Sequence, residues 1–399
     1  MRAQCDRAVT QHALRVGNTT AKLTSLHRED AVTRTTLLTL AAAGVVSAAA
    51  CAGGGDSKGA KDSPSASATP TTASSGGTDL TGAGATFPYP LYSKWISDYS
   101  TKHNVKINYQ AIGSGGGIRQ LQEGTVDFGG TDAPMTDEEM SKAKGGAILH
   151  VPSVLGAVVV TYNVPDVTQP LNLTGEVIAD IFLGKITKWN DSRVASLNPG
   201  VKLPARDVLV VHRSEGSGTT YIFSDYLTAV SRAWAAGPGK GKELKWPVGL
   251  GGRGNDGVSG QVKQTPGTIG YVELAYANQN RLPVARIKNA TGQFVAPTTE
   301  SITAAAAGAI EKLPPDTDYR ISIVNAPGAA SYPISSFTWL IVYQKQADAT
   351  KGKKLVDFMK WAMTEGQSAA GPLDYAPLPV SLGARLMERL DTIQVGTAS

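Results

Sequence analysis

Arg213 and the small residues that follow it are of the types that bind an oxyanion. Residues 212–219 read HRSEGSGT. The first N–H groups of a helix have no intrahelical partner and carry a partial positive charge, and Arg213 adds a full charge on a planar fork. We therefore predict a tetrahedral oxyanion site. The alternative is a plain helix cap with a surface ion pair between Arg213 and Glu215. The predicted donors are Arg213, Ser217, Gly218 and Thr219.

A strand before these residues and a helix after them would hold them in place. Residues 208–211 read VLVV, a short run of mostly β-branched residues that is typical of a buried strand. From Tyr221 to Trp234, apolar residues recur at three- and four-residue spacing, which predicts an amphipathic helix. His212 would point away from the site, because alternate strand residues face opposite sides.

Three further junctions have the same strand, loop and helix pattern. Thr86 and Phe87 follow a short strand that ends in a GxG motif, for which a plain connecting loop is the alternative. Ser114 opens a glycine-rich turn before a predicted helix. Asp132 follows a short strand, and it is either a carboxylate beside the bound anion or the cap of the next helix.

The rest of the chain indicates an α/β protein. Strands alternate with helices, which predicts mostly parallel sheets. The glycine-rich segment 249–258 predicts an irregular surface turn. Nucleotide binding is not predicted, because there is no GK[ST] motif and no Rossmann unit with a downstream ribose-binding acid.

The N-terminal region has the pattern of an export signal. Residues 37–50 form an uncharged apolar run that ends at Cys51, and this resembles the lipobox of bacterial lipoprotein signal peptides. We therefore predict a signal peptide over residues 1–50, lipidation of Cys51, and a flexible linker over residues 51–79 that is rich in Gly, Ser and Ala. We also expect translation to start downstream, near Val32.

Charge and cysteine content exclude several classes of protein. The first 50 residues hold six Lys/Arg and three Asp/Glu, which leaves 32 basic and 30 acidic residues beyond them. Such a balance does not predict nucleic-acid binding. Beyond Cys51 there is no cysteine, so no disulfide and no cysteine metal site is expected. No cofactor or metal is predicted.

Six ordered motifs resemble those of the phosphate-binding proteins of ABC-type phosphate importers. They are GAGATFPYPLYSKW, IGSGGG, DFGGTDAP, HRSEGSGTT, LGGRGNDGV and GYVELAYA. The resemblance covers residues 80–376. It implies a type II periplasmic-binding-protein fold, in which two α/β domains joined by hinge crossovers close over a central ligand cleft. Domain I would comprise residues 80–157 plus 326–399, and domain II residues 158–325.

The resemblance also implies the ligand positions and their roles. Phosphate would be bound by Thr86, Phe87, Ser114, Asp132, Arg213, Ser217, Gly218 and Thr219. Asp132 would accept the proton that phosphate still carries at neutral pH and that sulfate lacks. The family commonly has Asp where Glu215 pairs with Arg213, so Glu215 is a departure from the pattern and a second-layer residue behind the ligand.

The resemblance implies a non-enzymatic receptor, and a hydrolase is the alternative. The receptor would be a monomer outside the cytoplasm, anchored to the outer face of the cell membrane by the lipid on Cys51. It would deliver phosphate to the membrane permease subunits of the importer. The alternative is a secreted phosphatase-like hydrolase with Ser217 as nucleophile. The sequence does not favour it, because beyond the predicted linker it has no GxSxG motif and no cluster of His and Asp at metal-ligand spacing.

Overall fold

A computed structural model of the protein describes residues 79–314 and 317–396. The predicted signal peptide, Cys51 and all but the last residue of the predicted linker lie outside this part of the chain. The strands are β1 (Leu80–Gly84), β2 (Ile107–Ala111), β3 (Phe128–Thr131), β4 (Ile148–Tyr162), β5 (Asn172–Leu173), β6 (Leu209–Arg213), β7 (Leu250–Gly252), β8 (Thr268–Glu273), β9 (Arg286–Lys288), β10 (Phe294–Val295), β11 (Ser335–Tyr343), β12 (Lys345–Gln346) and β13 (Gln394–Val395).

Helices connect most of these strands. They are α1 (Tyr89–His103), α2 (Ser114–Glu123), α3 (Asp137–Ser141), α4 (Gly175–Phe182), α5 (Ser192–Ala195), α6 (Gly218–Val230), α7 (Arg232–Ala236), α8 (Gly254–Gln264), α9 (Leu274–Gln279), α10 (Thr299–Ile310), α11 (Ala349–Met363) and α12 (Val380–Asp391), with short 3-10 helices at Glu365–Ala369 and Gly371–Leu373. Among the helices of residues 79–314 and 317–396, none has the length and apolar character needed to cross a membrane.

The main sheet has eight strands in the order β2, β1, β3, β11, β4, β8, β6, β7. β4 pairs with β11 through residues 148–157, and its last five residues, 158–162, pair with β8. We call β1, β2, β3, β11 and residues 148–157 the first half-sheet. The second half-sheet comprises residues 158–162, β6, β7 and β8.

The prediction of an α/β fold is confirmed, while the prediction of mostly parallel sheets is only partly right. β1 pairs in parallel with β2 and β3, and β6 pairs in parallel with β7 and β8. The centre is antiparallel, because β11 pairs that way with β3 and β4, and β4 with β8. The two long strands β4 and β11 therefore lie at the centre of the sheet, with a group of parallel strands on each side.

The core explains why the apolar runs of the sequence form these central strands. Every residue of β4 and of β11 is buried, including Val158, Val159 and Val160 at 0% exposure. Burial of a large apolar side chain contributes about 1.5–3 kcal/mol, and β-branched residues pack well on a pleated surface. Because successive side chains point to opposite faces, both faces of these strands are covered by other parts of the protein.

The prediction of an irregular surface turn over residues 249–258 is wrong. The segment forms β7, which pairs with β6, and the first part of α8. Its glycines are required by close packing: a Cβ on Gly252 would lie 2.8 Å from the backbone N of Val258. Tertiary pairing with β6 therefore overrides the low strand and helix propensity of the segment.

Candidate anion site

Arg213 is the last residue of β6, and α6 begins five residues later at Gly218. Ser217 caps this helix, because its Oγ accepts a hydrogen bond from the N–H of Thr220 at 3.0 Å. Arg213 Nη1 donates to Thr219 Oγ1 at 3.0 Å. The guanidinium therefore lies at the N-terminus of α6, where the helix dipole and the free N–H groups add to its positive charge.

The alternative of a surface ion pair between Arg213 and Glu215 is wrong. The Arg213 side chain is 1% exposed and that of Glu215 is 19% exposed. Glu215 Oε1 accepts from Arg213 Nε at 2.9 Å and from Nη2, and it also accepts from the N–H of Gly254 at 3.1 Å. Glu215 thus fixes the guanidinium fork in one orientation.

Ser114 opens α2 in the first half of the molecule and meets α6 directly. Its Oγ accepts from the N–H of Gly218 at 3.1 Å, and the N–H of Gly115 donates to the carbonyl of Gly216 at 2.9 Å. A Cβ on Gly218 would lie 2.5 Å from both Ser114 Oγ and Asp132 Oδ2. Glycine is therefore required where the N-termini of the two helices approach each other.

Asp132 follows β3 and is 1% exposed. It does not cap the next helix, since Thr136 caps α3 through the N–H of Glu139, so that alternative is wrong. Thr338 Oγ1 donates to Asp132 Oδ1 at 2.7 Å, and Ser114 Oγ lies 3.5 Å from Oδ2. Burial raises the pKa of Asp132 to about 7, against the opposing effects of the Thr338 hydrogen bond, the charge of Arg213 and the Ser114 hydrogen bond.

Thr86 and Phe87 lie in the loop between β1 and α1, and both are buried. Asn255, the second residue of α8, connects this loop to Thr219, the residue that Arg213 contacts. Its Nδ2 donates to Thr86 Oγ1 at 2.8 Å and to Thr219 Oγ1 at 3.3 Å. The eight predicted ligand residues are all buried, and they lie on four neighbouring chain segments, three that follow strands of the first half-sheet and one that follows β6 of the second.

Sequence reasoning missed Asn255 and Thr338. Asn255 belongs to the motif LGGRGNDGV, whose glycines predict a turn, although α8 begins within it at Gly254. Thr338 lies within an apolar strand, and a threonine there has no pattern that distinguishes it from a packing residue. His212 lies outside the site as predicted: its ring stacks on Trp246 with centroids 4.6 Å apart.

The described residues include no group of three or more His, Cys, Asp or Glu side chains that could hold a metal ion. These four segments bring together the groups that a buried anion would need. They offer one guanidinium, hydroxyl and N–H donors at two helix N-termini, and one carboxyl acceptor. An anion with one proton matches these groups, because the donors can bond to its oxygens and the carboxylate can accept a hydrogen bond from its proton.

Comparisons with known proteins agree with this chemistry. Residues 66–365 match the family model of the PBP superfamily domain. The phosphate-binding protein PstS of Xylella fastidiosa strain 9a5c is 46% identical over 304 residues, which cover 76% of this chain and 82% of that protein. The chain belongs to the PstS family of phosphate-binding proteins. PstS of Methanocaldococcus jannaschii is 44% identical over 303 residues, covering 71% of this chain and 78% of that protein.

Solved structures support the fold of this PstS family member. A periplasmic phosphate-binding protein, PfluDING, solved with bound phosphate, gives a TM-score of 0.64 at 22% identity and covers 80% of this chain and 96% of its own. A phosphate-binding protein from Stenotrophomonas maltophilia gives 0.60 at 20% identity, with 78% and 93% covered. The prediction of a periplasmic-binding-protein fold is therefore confirmed.

Proposed function

We propose that this protein is an extracytoplasmic receptor that binds inorganic phosphate and delivers it to the membrane permease of an ABC-type importer. The family of the chain supports this function. The observation that carries the proposal is the buried Asp132 carboxyl group among the donors of two helix N-termini and Arg213. Such a set recognises a tetrahedral anion that carries a proton.

The ligand residues in this proposal are those predicted from the sequence: Thr86, Phe87, Ser114, Asp132, Arg213, Ser217, Gly218 and Thr219, with Glu215 behind them. Arg213 neutralises charge, and the hydroxyl and N–H groups donate to the phosphate oxygens. A charge-assisted hydrogen bond contributes about 1.5–3 kcal/mol, so several are needed to offset the dehydration of the anion. Donors from both half-sheets then hold one ligand.

Asp132 provides selectivity in this proposal. As a carboxylate it accepts the proton of phosphate, whereas sulfate at neutral pH has no proton to offer. Two unprotonated acceptors that face each other in a buried site repel, and this repulsion costs several kcal/mol. The receptor therefore excludes sulfate by repulsion rather than by size.

Calorimetric titration of the full chain tests the proposal. The protein is first stripped of carried-over ligand by reversible unfolding. Phosphate and sulfate are then titrated separately at moderate salt and about pH 9, where Asp132 is ionised and phosphate still carries one proton. We expect tight binding of one phosphate per chain and no heat from sulfate. Equal binding of the two anions would contradict the role of Asp132, and binding of neither would contradict the receptor function.

The protein binds phosphate without turning over a phosphoester in this proposal. The hydroxyl of Ser217 accepts the cap hydrogen bond from Thr220. Of the three histidines in the described residues, His103 stacks on Tyr99, His150 contacts Met135 and Asp318, and His212 stacks on Trp246. Within the part of the chain that the structure describes, Ser217 thus has no imidazole base of the kind that activates a serine nucleophile. Release of product from a generic phosphoester that is lost in Ser217→Ala would instead support a hydrolase.

We infer that the mature protein is a monomer anchored to the outer face of the cell membrane by a lipid on Cys51. The signal-peptide pattern and the flexible linker support this anchor. Cys51→Ser should release the protein from the membrane fraction and leave phosphate affinity unchanged. Continued membrane association of Cys51→Ser would contradict the anchor.

The domain boundaries of this proposal follow the pairing of β4. Residues 80–157 plus 326–399 form domain I, and residues 158–325 form domain II. Support comes from the change of partner along β4, whose residue Ala157 pairs with β11 and whose next residue, Val158, pairs with β8. Movement of the domains about this point would open and close the site.

A further inference from the structure

Two tyrosine hydroxyl groups donate to consecutive carbonyls of the loop at Thr86 and Phe87. Tyr276 Oη lies 2.6 Å from the carbonyl oxygen of Thr86, and Tyr375 Oη lies 2.6 Å from that of Phe87. Both tyrosines are buried. Tyr276 belongs to α9, which follows the second half-sheet, and Tyr375 belongs to the C-terminal segment that pairs with β4 through Leu155 and Ala376.

These hydrogen bonds fix the direction of a proposed phosphate donor. The carbonyl of Thr86 and the N–H of Phe87 belong to one planar peptide unit, in which the two groups point in opposite directions. Holding the carbonyl through Tyr276 therefore aims the N–H. Tyr375 fixes the next peptide unit in the same way. The two hydroxyls together leave the Phe87 backbone with little freedom to turn.

The hydroxyl of Tyr375 has a second neighbour, Glu273. Glu273 Oε2 lies 3.1 Å from Tyr375 Oη and accepts from the N–H of Ala275 at 2.8 Å. A tyrosine hydroxyl has one proton. The Phe87 carbonyl can only accept, and at 2.6 Å it accepts the hydrogen bond that this proton makes. The contact between Tyr375 and Glu273 is then a hydrogen bond only if the carboxyl group of Glu273 supplies the proton.

We propose that Glu273 is a neutral carboxylic acid at physiological pH and a positioning residue for the phosphate site. It donates to Tyr375, which holds the Phe87 carbonyl, and it caps the helix that carries Tyr276. The inference about phosphate rests on the proposed function, whereas the protonation state of Glu273 does not.

The surroundings of Glu273 favour the neutral form. The residue is 0% exposed, and within residues 79–314 and 317–396 its Oε1 has no hydrogen-bond partner. A buried carboxylate oxygen without a partner is costly. The titratable groups that face Glu273 are Asp374, Tyr375 and Tyr276, none of which is a cation. Burial raises the pKa of Glu273 well above its usual range, and the nearby Asp374 raises it further.

Urea unfolding of the stripped full chain tests the protonation state without any ligand. The comparison is between Asp132→Asn and Asp132→Asn/Glu273→Gln, so that Asp132 does not contribute. A native neutral Glu273 releases its proton on unfolding. Between about pH 6 and 8, the unfolding constant of the single variant should therefore rise about tenfold per pH unit relative to the double variant. Parallel pH curves would overturn the proposal.

Carbon-13 NMR gives the same information should Glu273→Gln fail to fold. With carboxyl-labelled glutamate, we expect one glutamate resonance of the otherwise unaltered Asp132→Asn chain to stay at the position of a protonated acid up to about pH 8, far above the ordinary glutamate pKa of about 4.3. If every glutamate titrates near that value, Glu273 is ionised and the proposal fails.

Calorimetry tests the positioning role. Loss of one buried hydrogen bond in Tyr276→Phe should weaken phosphate binding about tenfold. Tyr162→Phe is the matched control, because its buried hydroxyl accepts from Leu171 at 2.9 Å in a different part of the protein. It should leave affinity unchanged. Equal affinities of the two variants would contradict the role of the loop contacts.

The Glu273 variants complete that test. Glu273→Ala should weaken phosphate binding about tenfold, and Glu273→Gln, which stays neutral and can donate, should restore most of the loss. Equal losses in both variants would show that the carboxyl group does not act through its proton. Failure of the unaltered chain to bind phosphate would overturn the proposed function and leave the unfolding result intact.

Discussion

Each half-sheet buries one carboxyl group next to the anion site, and the two groups differ in their surroundings. Asp132, beyond β3, receives a hydrogen bond from Thr338 and lies near the charge of Arg213. Glu273, at the end of β8, has Tyr276, Tyr375 and Asp374 as its titratable neighbours, and none of them is a cation. Burial alone pushes the pKa of both groups upward.

The difference shows how partners decide what a buried carboxyl group can do. The donors around Asp132 and the charge of Arg213 keep its pKa near 7, so its charge changes in the physiological range. Its interaction with a ligand therefore depends on whether that ligand carries a proton. No positive charge offsets the burial of Glu273, so its pKa stays well above the usual range and its carboxyl group keeps its proton. The first group is suited to recognition, and the second is suited to holding a fixed structure.

The largest expected effect is on the pH dependence of stability without ligand. The pKa of Asp132 rises from 3.8 to about 7 on folding, so its contribution to stability is complete below about pH 4 and is lost as the pH rises through about 7. Three pKa units correspond to about 4 kcal/mol. Urea unfolding should show this loss in the unaltered chain and not in Asp132→Asn, while Glu273 contributes equally to both. Parallel curves would contradict a raised pKa for Asp132.

The next effect is on anion selectivity. In Asp132→Asn the repelling carboxylate becomes an amide that can donate, and sulfate affinity should rise on the order of a hundredfold. Calorimetry with sulfate at about pH 9, where Asp132 is ionised in the unaltered chain, measures it. Asp127→Asn is the matched control, because it removes the same charge from a residue that contacts Thr81 and Lys351 instead of the site. Continued exclusion of sulfate by Asp132→Asn would contradict the role of Asp132 in anion selectivity.

A smaller effect is expected when the guanidinium is replaced. Arg213→Lys keeps the charge but loses the planar fork that Glu215 and Thr219 hold, so phosphate affinity should fall about tenfold. The exposed Arg193, which pairs with Asp180 and Asp191, provides the control Arg193→Lys. Equal affinity in both variants would mean that only the charge of Arg213 matters.

The smallest effect tests the tuning of Asp132. Thr338→Val removes a hydrogen bond that lowers the pKa of Asp132, so the pH below which sulfate begins to bind should move upward by less than about one unit. Sulfate titrations at several pH values measure this shift. Thr161→Val, which removes a buried hydroxyl bonded to the Pro283 carbonyl, should leave the onset unchanged. A shift in the control as large as in Thr338→Val would contradict a specific effect of Thr338.

Local sequence patterns predicted the elements of the site and the residues at their ends. Most of the apolar run before Arg213 lies in β6, and the small residues after it start α6, because β-branched composition and helix capping are local features of a sequence. The segment 249–258 was misread, because β7 exists only through its pairing with β6.

Residues that act through distant partners could not be predicted in the same way. Thr338 contacts Asp132 across 206 positions of the chain, and Tyr375 contacts Glu273 across 102. Such contacts depend on the packed sheet and leave no periodic signal in the sequence. The proton on Glu273 is a property of that packing, so the motif GYVELAYA alone does not reveal it.

The position of β11 in the sheet has a consequence for the order of folding during export. Strands β4, β6, β7 and β8 lie within residues 148–273, so the second half-sheet can pair as soon as this stretch has crossed the membrane. In the first half-sheet, β1, β2 and β3 can pair with one another early, but they cannot join β4, because β11 lies between β3 and β4 and emerges only with residues 335–343. Because non-local pairing is slow, we expect β1, β2 and β3 to remain apart from β4 until the chain is nearly complete. During that time their unpaired edge is exposed to chaperones and proteases.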